Sequence, residues 1–283
     1  MPKIYEYRGV EGLVAAPVLT DDKDGITFGS VIELAGVSEI SKSTDSTNES
    51  HYYNNIAAVV ISSTGADEIT VNASAIPLDV LAAITGQVYN ASKGMFVEQV
   101  RTPGYWALGY KTKDTNGNDY FVWRLKGMFN IPDQTNATED DGTDANGQEI
   151  TYTGVTTVHK FSLTGEGAKA VTIDTSVNPL SESSFFSTPQ TPDTIANGTA
   201  ATGVSVSPST ASLVVGGTTQ ITATVAPETA TNKNVKFVSS DTSVALVASD
   251  GTVTAVAEGT AVIVAQTVDG GYTASATVTV TTE

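Results

Sequence analysis

The pattern of apolar and polar positions changes in kind near residue 200. From Gly203 onward, apolar residues alternate with Thr and Ser in short runs, and turn-forming residues interrupt these runs about every 8–12 residues. Short β-branched runs with regular turn signals are typical of an all-β sandwich. Residues 203–283 are therefore predicted to form a β-sandwich of their own.

Residues 1–180 are also rich in predicted strands, and their clearest element is a hairpin around Asn116-Gly117. This dipeptide suits the positive φ angles of a tight turn. Apolar residues alternate on both sides of the turn. These residues are Trp106, Leu108 and Tyr110 before it and Phe121, Trp123 and Leu125 after it. Both tryptophans of the protein lie here, so Trp106 and Trp123 are predicted to anchor the core.

One helix is predicted, over residues 77–85. Pro77 suits its first turn, Asp79 complements the positive end of the helix dipole, and Gly86 suits the C-terminal cap. Because a helix this short is marginal in isolation, it must pack on a sheet. The fold class that follows is mainly β: a β-sandwich or barrel with one flanking α-helix, followed by a second β-sandwich.

Residues 181–202 separate the predicted domains 1–180 and 203–283. They are rich in Ser, Thr, Pro, Gly and Asn, which predicts an extended, solvated linker. The pair Phe185-Phe186 is the exception and is predicted to belong to the end of the first domain.

The charge balance excludes several classes of partner. The 283 residues include 14 Lys and Arg against 31 Asp and Glu, for a formal net charge of −17. Such a surface repels phosphate, which argues against stable binding to nucleic acid or to an anionic membrane, although not against DNA passing without sticking. The chain has no cysteine, which excludes disulfides and thiolate chemistry. No secretory signal or apolar run of membrane-spanning length is visible.

Residues 44–55, TDSTNESHYYNN, hold the first candidate for chemistry. Asp45, Glu49 and His51 have the atoms of a metal site or an acid–base pair. Their Ser/Thr/Asn-rich surroundings have no signal that would fix ligand geometry, and a polar loop is the alternative interpretation. The other histidine, His159, is predicted to lie in a strand.

The acidic stretch 133–149 is the second candidate. Neither Gly142 nor Gly147 can serve as the sixth residue of an EF-hand loop, because Ala137 or Gly142 would then occupy the first ligand position. A solvated loop is the prediction, with weak binding of divalent cations left open. No HExxH, GxSxG or phosphate-binding glycine pattern is present. We therefore expect neither an enzyme nor a cofactor.

The C-terminal domain resembles the bacterial immunoglobulin-like domains of group 2. The resemblance rests on turn and core positions throughout residues 203–283. These are Pro208, Gly216, Pro227, the run NVKFVSS, Gly251 and the segment AEGTA. The family often has Trp where this chain has Phe237, so the resemblance makes Phe237 the aromatic core anchor. Such domains occur on adhesins, on S-layer and other surface proteins, and on phage virion proteins.

Residues 1–180 resemble the major tail proteins of long-tailed phages. The resemblance rests on the order of features: the run Tyr52-Tyr53-Asn54-Asn55 after a polar loop, the LDVLAAITG helix, the hairpin 101–132, an acidic loop and the strand EITYTGV. At two positions of the first run, where the family tends to have Ala and Asp, this chain has Tyr53 and Asn54.

This second resemblance implies a tail-tube-type fold and a structural virion protein. Its copies would form stacked, hexameric rings in the host cytoplasm, and DNA would pass through the lumen without specific binding. The polar loop would be free in the monomer and dock between rings, through Asp45, Glu49, His51, Tyr52 and Tyr53. Further expected partners are the tape measure, terminator and distal tail proteins, and host-surface glycans for residues 203–283. No membrane is expected.

Two other functions stay open. The immunoglobulin-like resemblance also fits a bacterial surface adhesin or S-layer protein. A capsid or other virion decoration protein is the third alternative.

Overall fold

The computed structural model describes residues 6–53, 56–134 and 147–282. It divides into two compact units. The first comprises Met1–Ile173 and Glu182–Ile195, and the second comprises Asp174–Ser181 and Ala196–Glu283.

The first unit is built mainly of strands. Its strands are β1 (Tyr7–Asp21), β2 (Ile26–Phe28), β3 (Ile32–Ala35), β4 (Val37–Tyr53), β5 (Ile56–Ala73), β6 (Val88–Asn90), β7 (Met95–Val97), β8 (Trp106–Asp114), β9 (Asp119–Phe129), β10 (Asp133–Gln134), β11 (Gln148–Gly154) and β12 (Ala170–Asp174), the last of which ends at the boundary of the unit. Its helices are α1 (Leu78–Thr85) and α2 (Glu182–Phe185).

The strands of the main sheet follow one path whose two ends are joined through β3. The order is β1-β8-β9-β11-β5-β4, and β3 pairs with the second edge of β1. Only Gly36 separates β3 from β4, so this bent pair of strands joins β1 to β5. Gly36 donates its N–H to Ser74 Oγ at 3.0 Å and accepts one from Ser74 N at 2.7 Å. The result is a barrel, which confirms the prediction of a mainly β domain.

Buried apolar side chains from the barrel strands form one core cluster. Helix α1 adds Leu81 and Ile84 to this cluster. Gly86 ends the helix with φ +72°, as the sequence predicts, and a Cβ there would lie 2.3 Å from Thr102 O. The helix therefore ends at a position that only glycine fills without strain.

The predicted hairpin is β8–β9, and its two tryptophans lie on opposite faces of the sheet. Trp106 belongs to the core cluster on one face. Trp123 pairs with Gly109 on the other face and is fully buried. Its Nε1 donates to Phe185 O at 3.0 Å. Both tryptophans are buried, so each anchors packing, but on different faces.

The predicted solvated linker is wrong for residues 182–195. Phe185 is 1% exposed, and its ring lies 5.4 Å from that of Phe121. Glu182 Oε2 accepts a hydrogen bond from Lys111 Nζ at 2.6 Å. This segment covers the face of the sheet that carries Trp123, which explains why β8 and β9 are buried on both faces. The assignment of Phe185-Phe186 to the first domain is confirmed.

Two further predictions differ from the structure. Residues 155–161 around His159 are irregular rather than a strand, because the N–H groups of Val158 and His159 donate to the Asp21 carboxylate instead of to a neighbouring strand. Of the acidic stretch 133–149, residues 135–146 lie outside the described residues. Its ends are β10 and the start of β11, which pair with each other.

The second unit is a sandwich of short strands. They are β13 (Gly203–Ser207), β14 (Thr210–Val214), β15 (Thr218–Gln220), β16 (Thr222–Ala226), β17 (Val235–Ser239), β18 (Ala245–Val247), β19 (Thr252–Ala255), β20 (Gly259–Thr267) and β21 (Thr273–Thr281). They form the sheets β14-β21-β20-β17, β15-β19-β18 and β13-β16. Small and β-branched residues such as Ile263 and Val278 fill the core. Phe237 packs against this core but is only partly buried.

We predict that Phe185→Ala destabilises the first unit by about 3–5 kcal/mol, because it empties a fully buried aromatic site. Urea unfolding followed by tryptophan fluorescence measures this unit selectively, since both tryptophans lie in it. Leu163→Ala, at a side chain 77% exposed, is the control and should change the free energy of unfolding by less than about 0.5 kcal/mol. Equal, small effects of the two substitutions would mean that residues 182–195 are a solvated linker after all.

Candidate assembly surface

Residues 44–53 of the polar stretch 44–55 form a strand rather than a loop. Residues Thr44–Tyr53 belong to β4 and pair with β5 up to the Tyr53–Ile56 pair. Only Asn54 and Asn55, between the strands, lie outside the described residues. The prediction of a loop failed because no apolar alternation marks this strand. The signals that could have found it are the Ser and Thr content, which an exposed strand tolerates, and the Asn-Asn pair of the sequence, which suits a turn.

The outer half of this hairpin leaves the barrel. Strand β11 pairs with β5 only from Ala73 to Asp67, and Asp67 pairs with Thr44 on β4. We call residues 45–53 and 56–66, beyond this pair, the ribbon. Nine residues of β4 lie in it, which corresponds to about 30 Å at 3.3 Å per residue. Within the described parts of the chain, no strand other than β4 pairs with β5 beyond Asp67.

The ribbon therefore presents two strand edges without a partner among the described residues. Unpaired edges carry N–H and C=O groups that can pair with another chain. Natural proteins protect such edges with Lys, Pro, bulges or a covering element. The ribbon contains no Lys, Arg or Pro, and its register shifts only at Thr44/Ser46 and His51/Tyr52. Its composition leaves the edges open to pairing.

A buried carboxylate lies where the ribbon leaves the barrel, a place that we call the root of the ribbon. The Asp67 side chain is 5% exposed. Arg124 Nη1 on β9 lies 3.0 Å from its Oδ2, and Lys169 Nζ lies 3.1 Å from its Oδ1. From β4, Thr44 Oγ1 donates at 3.0 Å, and Lys42 Nζ lies at 3.7 Å. One anion thus joins both strands of the hairpin to the barrel.

Opposing effects set the pKa of Asp67. Desolvation raises it, while the hydrogen bonds from Lys169 and Thr44 and the charges of Lys42 and Lys169 lower it. The net pKa is lowered from the usual value, so the group is ionised at neutral pH.

A second buried ion pair lies elsewhere in the barrel. Lys126 Nζ contacts Asp21 Oδ2 at 2.6 Å, and the two side chains are 11% and 3% exposed. The N–H groups of Val158 and His159 donate to the same carboxylate at 2.8 and 2.9 Å. Burial raises the pKa of Asp21, but these hydrogen bonds and the Lys126 charge outweigh it and lower the pKa overall. This pair joins the end of β1 to β9 and to residues 158–159.

The predicted chemical residues all lie on β4, within the ribbon. Asp45 and Glu49 are exposed on the ribbon, and His51 pairs with Val59 further out. Tyr52 and Tyr53 pair with Ala57 and Ile56 at the ribbon's end. Among the described residues, no group of three His, Asp or Glu could hold a metal ion. No helix in the described ranges is long and apolar enough to cross a bilayer.

The fold defines a mainly β protein with a C-terminal immunoglobulin-like sandwich. Residues 200–281 match the family model of the bacterial Ig-like domain (group 2). The match confirms the identity predicted for this domain and begins three residues earlier. It covers less than half of the chain. None of the curated proteins matches the sequence.

Solved structures of S-layer proteins align with the chain, but weakly. Domains 4 and 5 of the S-layer protein SbsC align with 16% identity and a TM-score of 0.25, over 87% of this chain and 99% of that one. The S-layer protein rSbsC(31-844) gives 15% identity and 0.26, over 99% and 40%. Domains 1–6 of SbsC give 15% and 0.27, over 94% and 39%. The chain spans about two fifths of the latter two. Superpositions with such low TM-scores carry no argument.

We predict that Asp21→Asn destabilises the first unit by about 3 kcal/mol at neutral pH, because it leaves the buried Lys126 ammonium uncompensated. The folded-state pKa of Asp21 lies below its ordinary value of 3.8. Its contribution is therefore complete above that value and is lost as the pH falls through the folded-state pKa. The variant should accordingly lose less stability than the wild type on acidification. Urea titrations followed by tryptophan fluorescence at a series of pH values measure this, with the exposed Asp24→Asn as control. Parallel pH profiles for the wild type and Asp21→Asn would contradict it.

Proposed function

We propose that this protein is a structural subunit that assembles with copies of itself, and that the assembly is the tail tube of a phage. The observation that carries the proposal is the ribbon, whose two strand edges have no partner among the described residues. In a ring of copies, each ribbon can pair with its neighbours and so remove the open edges. Tyr52 and Tyr53, at its end, are the proposed anchors of the contact.

The charge distribution supports a conduit. Residues 1–202 contain 12 Lys and Arg against 25 Asp and Glu, so the domain that would form the tube has a formal net charge of −13. A wall of this sign repels the phosphates of passing DNA, which then slides without binding. The Ig-like domain would project outward and keep the lumen clear. Many copies of a weak glycan-binding domain would act through avidity.

The remaining parts of the proposal follow from the resemblance of residues 1–180 to the major tail proteins of long-tailed phages. The subunit would not be an enzyme and would bind no cofactor. It would assemble in the host cytoplasm into the virion tail, in contact with tape measure, terminator and distal tail proteins.

A bacterial surface protein of the adhesin or S-layer kind is the second candidate. Its specific support is the match of residues 200–281 to the bacterial Ig-like family. The three solved structures named above are S-layer proteins, although their TM-scores add no weight to this candidate.

Electron microscopy of the purified full-length protein over a range of concentration and salt tests both candidates. Rings or hollow tubes of uniform diameter are the result expected for a tail tube. Flat two-dimensional lattices would overturn the tube and support a surface layer. Isolated monomers under every condition would overturn self-assembly.

We predict that replacing residues 47–63 with Asn-Gly abolishes assembly and leaves the first unit folded. The replacement joins Ser46 to Thr64, which already face each other in the ladder, and it keeps Thr44 and Asp67 in place. Deleting residues 42–50 alone would be less informative, because it also removes Lys42 and Thr44 from the ionic cluster. Sedimentation and electron microscopy measure assembly, and tryptophan fluorescence measures folding. Normal assembly of the shortened protein would contradict the role of the ribbon.

We predict that removing residues 196–283 leaves assembly intact. This deletion is larger than the previous one and serves as its control. The cut is placed at 196 because Ala201 is already buried in the second unit and Thr202 N donates to Ala226 O. Sedimentation of the truncated protein, compared with the full chain, is the measurement. Loss of assembly would mean that the Ig-like domain is a structural part of the particle.

A further inference from the structure

We infer that Asp67 is a positioning residue, which holds the ribbon in one direction relative to the barrel before any second copy binds. The ribbon is then a pre-formed arm rather than a segment that orders on docking. The statement about direction stands on the geometry of this chain, and only the docking role of the arm rests on the proposed function.

Backbone pairing alone does not set the direction of the ribbon. Up to Asp67, strand β5 lies between β4 and β11 within the barrel. Immediately beyond it, the ladder drops to two strands. Two-stranded ribbons twist more than wider sheets and are marginally stable in water without further packing. Whatever fixes the ribbon must therefore act at its root.

The contacts of Asp67 connect the two strands of the root to separate parts of the barrel. Lys42 and Thr44 reach it from β4, Arg124 from β9, and Lys169 from the residue before β12. Its partners lie 23 to 102 residues away along the sequence. A change in ribbon direction would move Asp67 or Lys42 relative to Arg124 and Lys169 and would break buried charge-assisted hydrogen bonds.

Two further features act at the same place. Lys169 Nζ also donates to the backbone carbonyl of Gly65, so one ammonium contacts both the Asp67 carboxylate and the first residues of the ribbon. The register shifts between Thr44 and Ser46, where Asp45 on β4 lies opposite two residues of β5, Gly65 and Ala66, so β5 carries a bulge. A Cβ on Gly65 would lie 3.1 Å from Asp45 Cβ, so the strands approach closely there. Bulges bend a strand and increase its twist. The bulge supplies the bend, and the ionic cluster holds it.

A merely stabilising ion cluster would have a different signature. It would change the free energy of unfolding of the first unit without changing the range of ribbon directions in the folded protein. The test must therefore measure direction in the folded monomer.

The absence of cysteine allows two labels to be placed without background. We would place nitroxides at Ser62→Cys on the ribbon and at Asn116→Cys in the β8–β9 turn, both exposed positions. Double electron–electron resonance on the full-length monomer should give one narrow distance distribution. Asp67→Asn should broaden it about twofold or more, because the two-stranded root then samples a range of twist. Asp24→Asn, a substitution at an exposed carboxylate, is the matched control and should leave the distribution unchanged.

Asp67→Asn leaves three cations near one neutral amide and can unfold the unit, so Lys169→Met is the second variant. It removes the contacts to Asp67 and Gly65 and leaves Arg124 and Lys42 paired. Its distribution should be broader than that of the wild type and narrower than that of a folded Asp67→Asn. A broad distribution in the wild type would overturn the inference, as would unchanged width in Lys169→Met.

Assembly measured on the same variants separates this inference from the proposed function. If the arm is used for docking, Lys169→Met should raise the protein concentration needed for assembly about tenfold, a shift of the size expected for losing one oriented contact in an interface. Narrow wild-type distances that broaden in the variants, together with no assembly of any protein, would uphold the arm and overturn the tail tube and the surface layer alike. Unchanged assembly of a variant with broadened distances would show that docking orders the ribbon.

Discussion

The buried Asp67 carboxylate is the interaction on which the architecture of the first unit depends. Exposed ion pairs contribute at most about 1 kcal/mol, whereas breaking a buried pair costs about 3–5 kcal/mol. Asp67 is 5% exposed and contacts cations from three separate parts of the chain, so it belongs to the second class. It lies where a three-stranded ladder becomes a two-stranded one. The charge cluster thus replaces the hydrogen-bonded neighbour that β5 loses at this point.

The packing of the barrel explains why the Asp67 carboxylate meets a fixed partner at the barrel wall. The path β1-β8-β9-β11-β5-β4 returns to β1 through β3, which leads into β4, and β4 and β5 extend beyond this path. Segment 182–195 covers the face that carries Trp123, so β8 and β9 are fixed from both sides. Arg124, which lies on β9 next to Trp123, is therefore a rigid partner for Asp67. Packing on one face of β9 and ion pairing on the other act on the same strand.

Elements with a strong apolar pattern could be predicted from the sequence, and elements held by distant polar contacts could not. The β8–β9 hairpin and helix α1 follow from apolar spacing, Asn116-Gly117 and Gly86. Strand β4 has no such spacing, because its residues 45–50 are all exposed. The irregular path at His159 depends on Asp21, 138 residues earlier, and the cluster at Asp67 joins residues up to 102 apart. No local pattern encodes those pairs. The composition of residues 182–195 wrongly predicted a solvated linker, because the packing of one aromatic pair outweighs the effect of many polar neighbours.

The two units differ in how strongly they constrain the function of the protein. The match of residues 200–281 to the bacterial Ig-like family does not decide between a surface layer and a tube. The ribbon is more selective, because a strand pair that leaves its own barrel with open edges and without Lys or Pro is an aggregation hazard for a monomer. Such a hazard is tolerated only if assembly uses it or if its geometry limits the partners it can meet. A ribbon held in one direction meets the second condition, since only a copy in the matching orientation can pair along its edge. In the proposed assembly, the direction of the ribbon rather than its edge chemistry would decide whether the copies close into a ring or extend as a sheet.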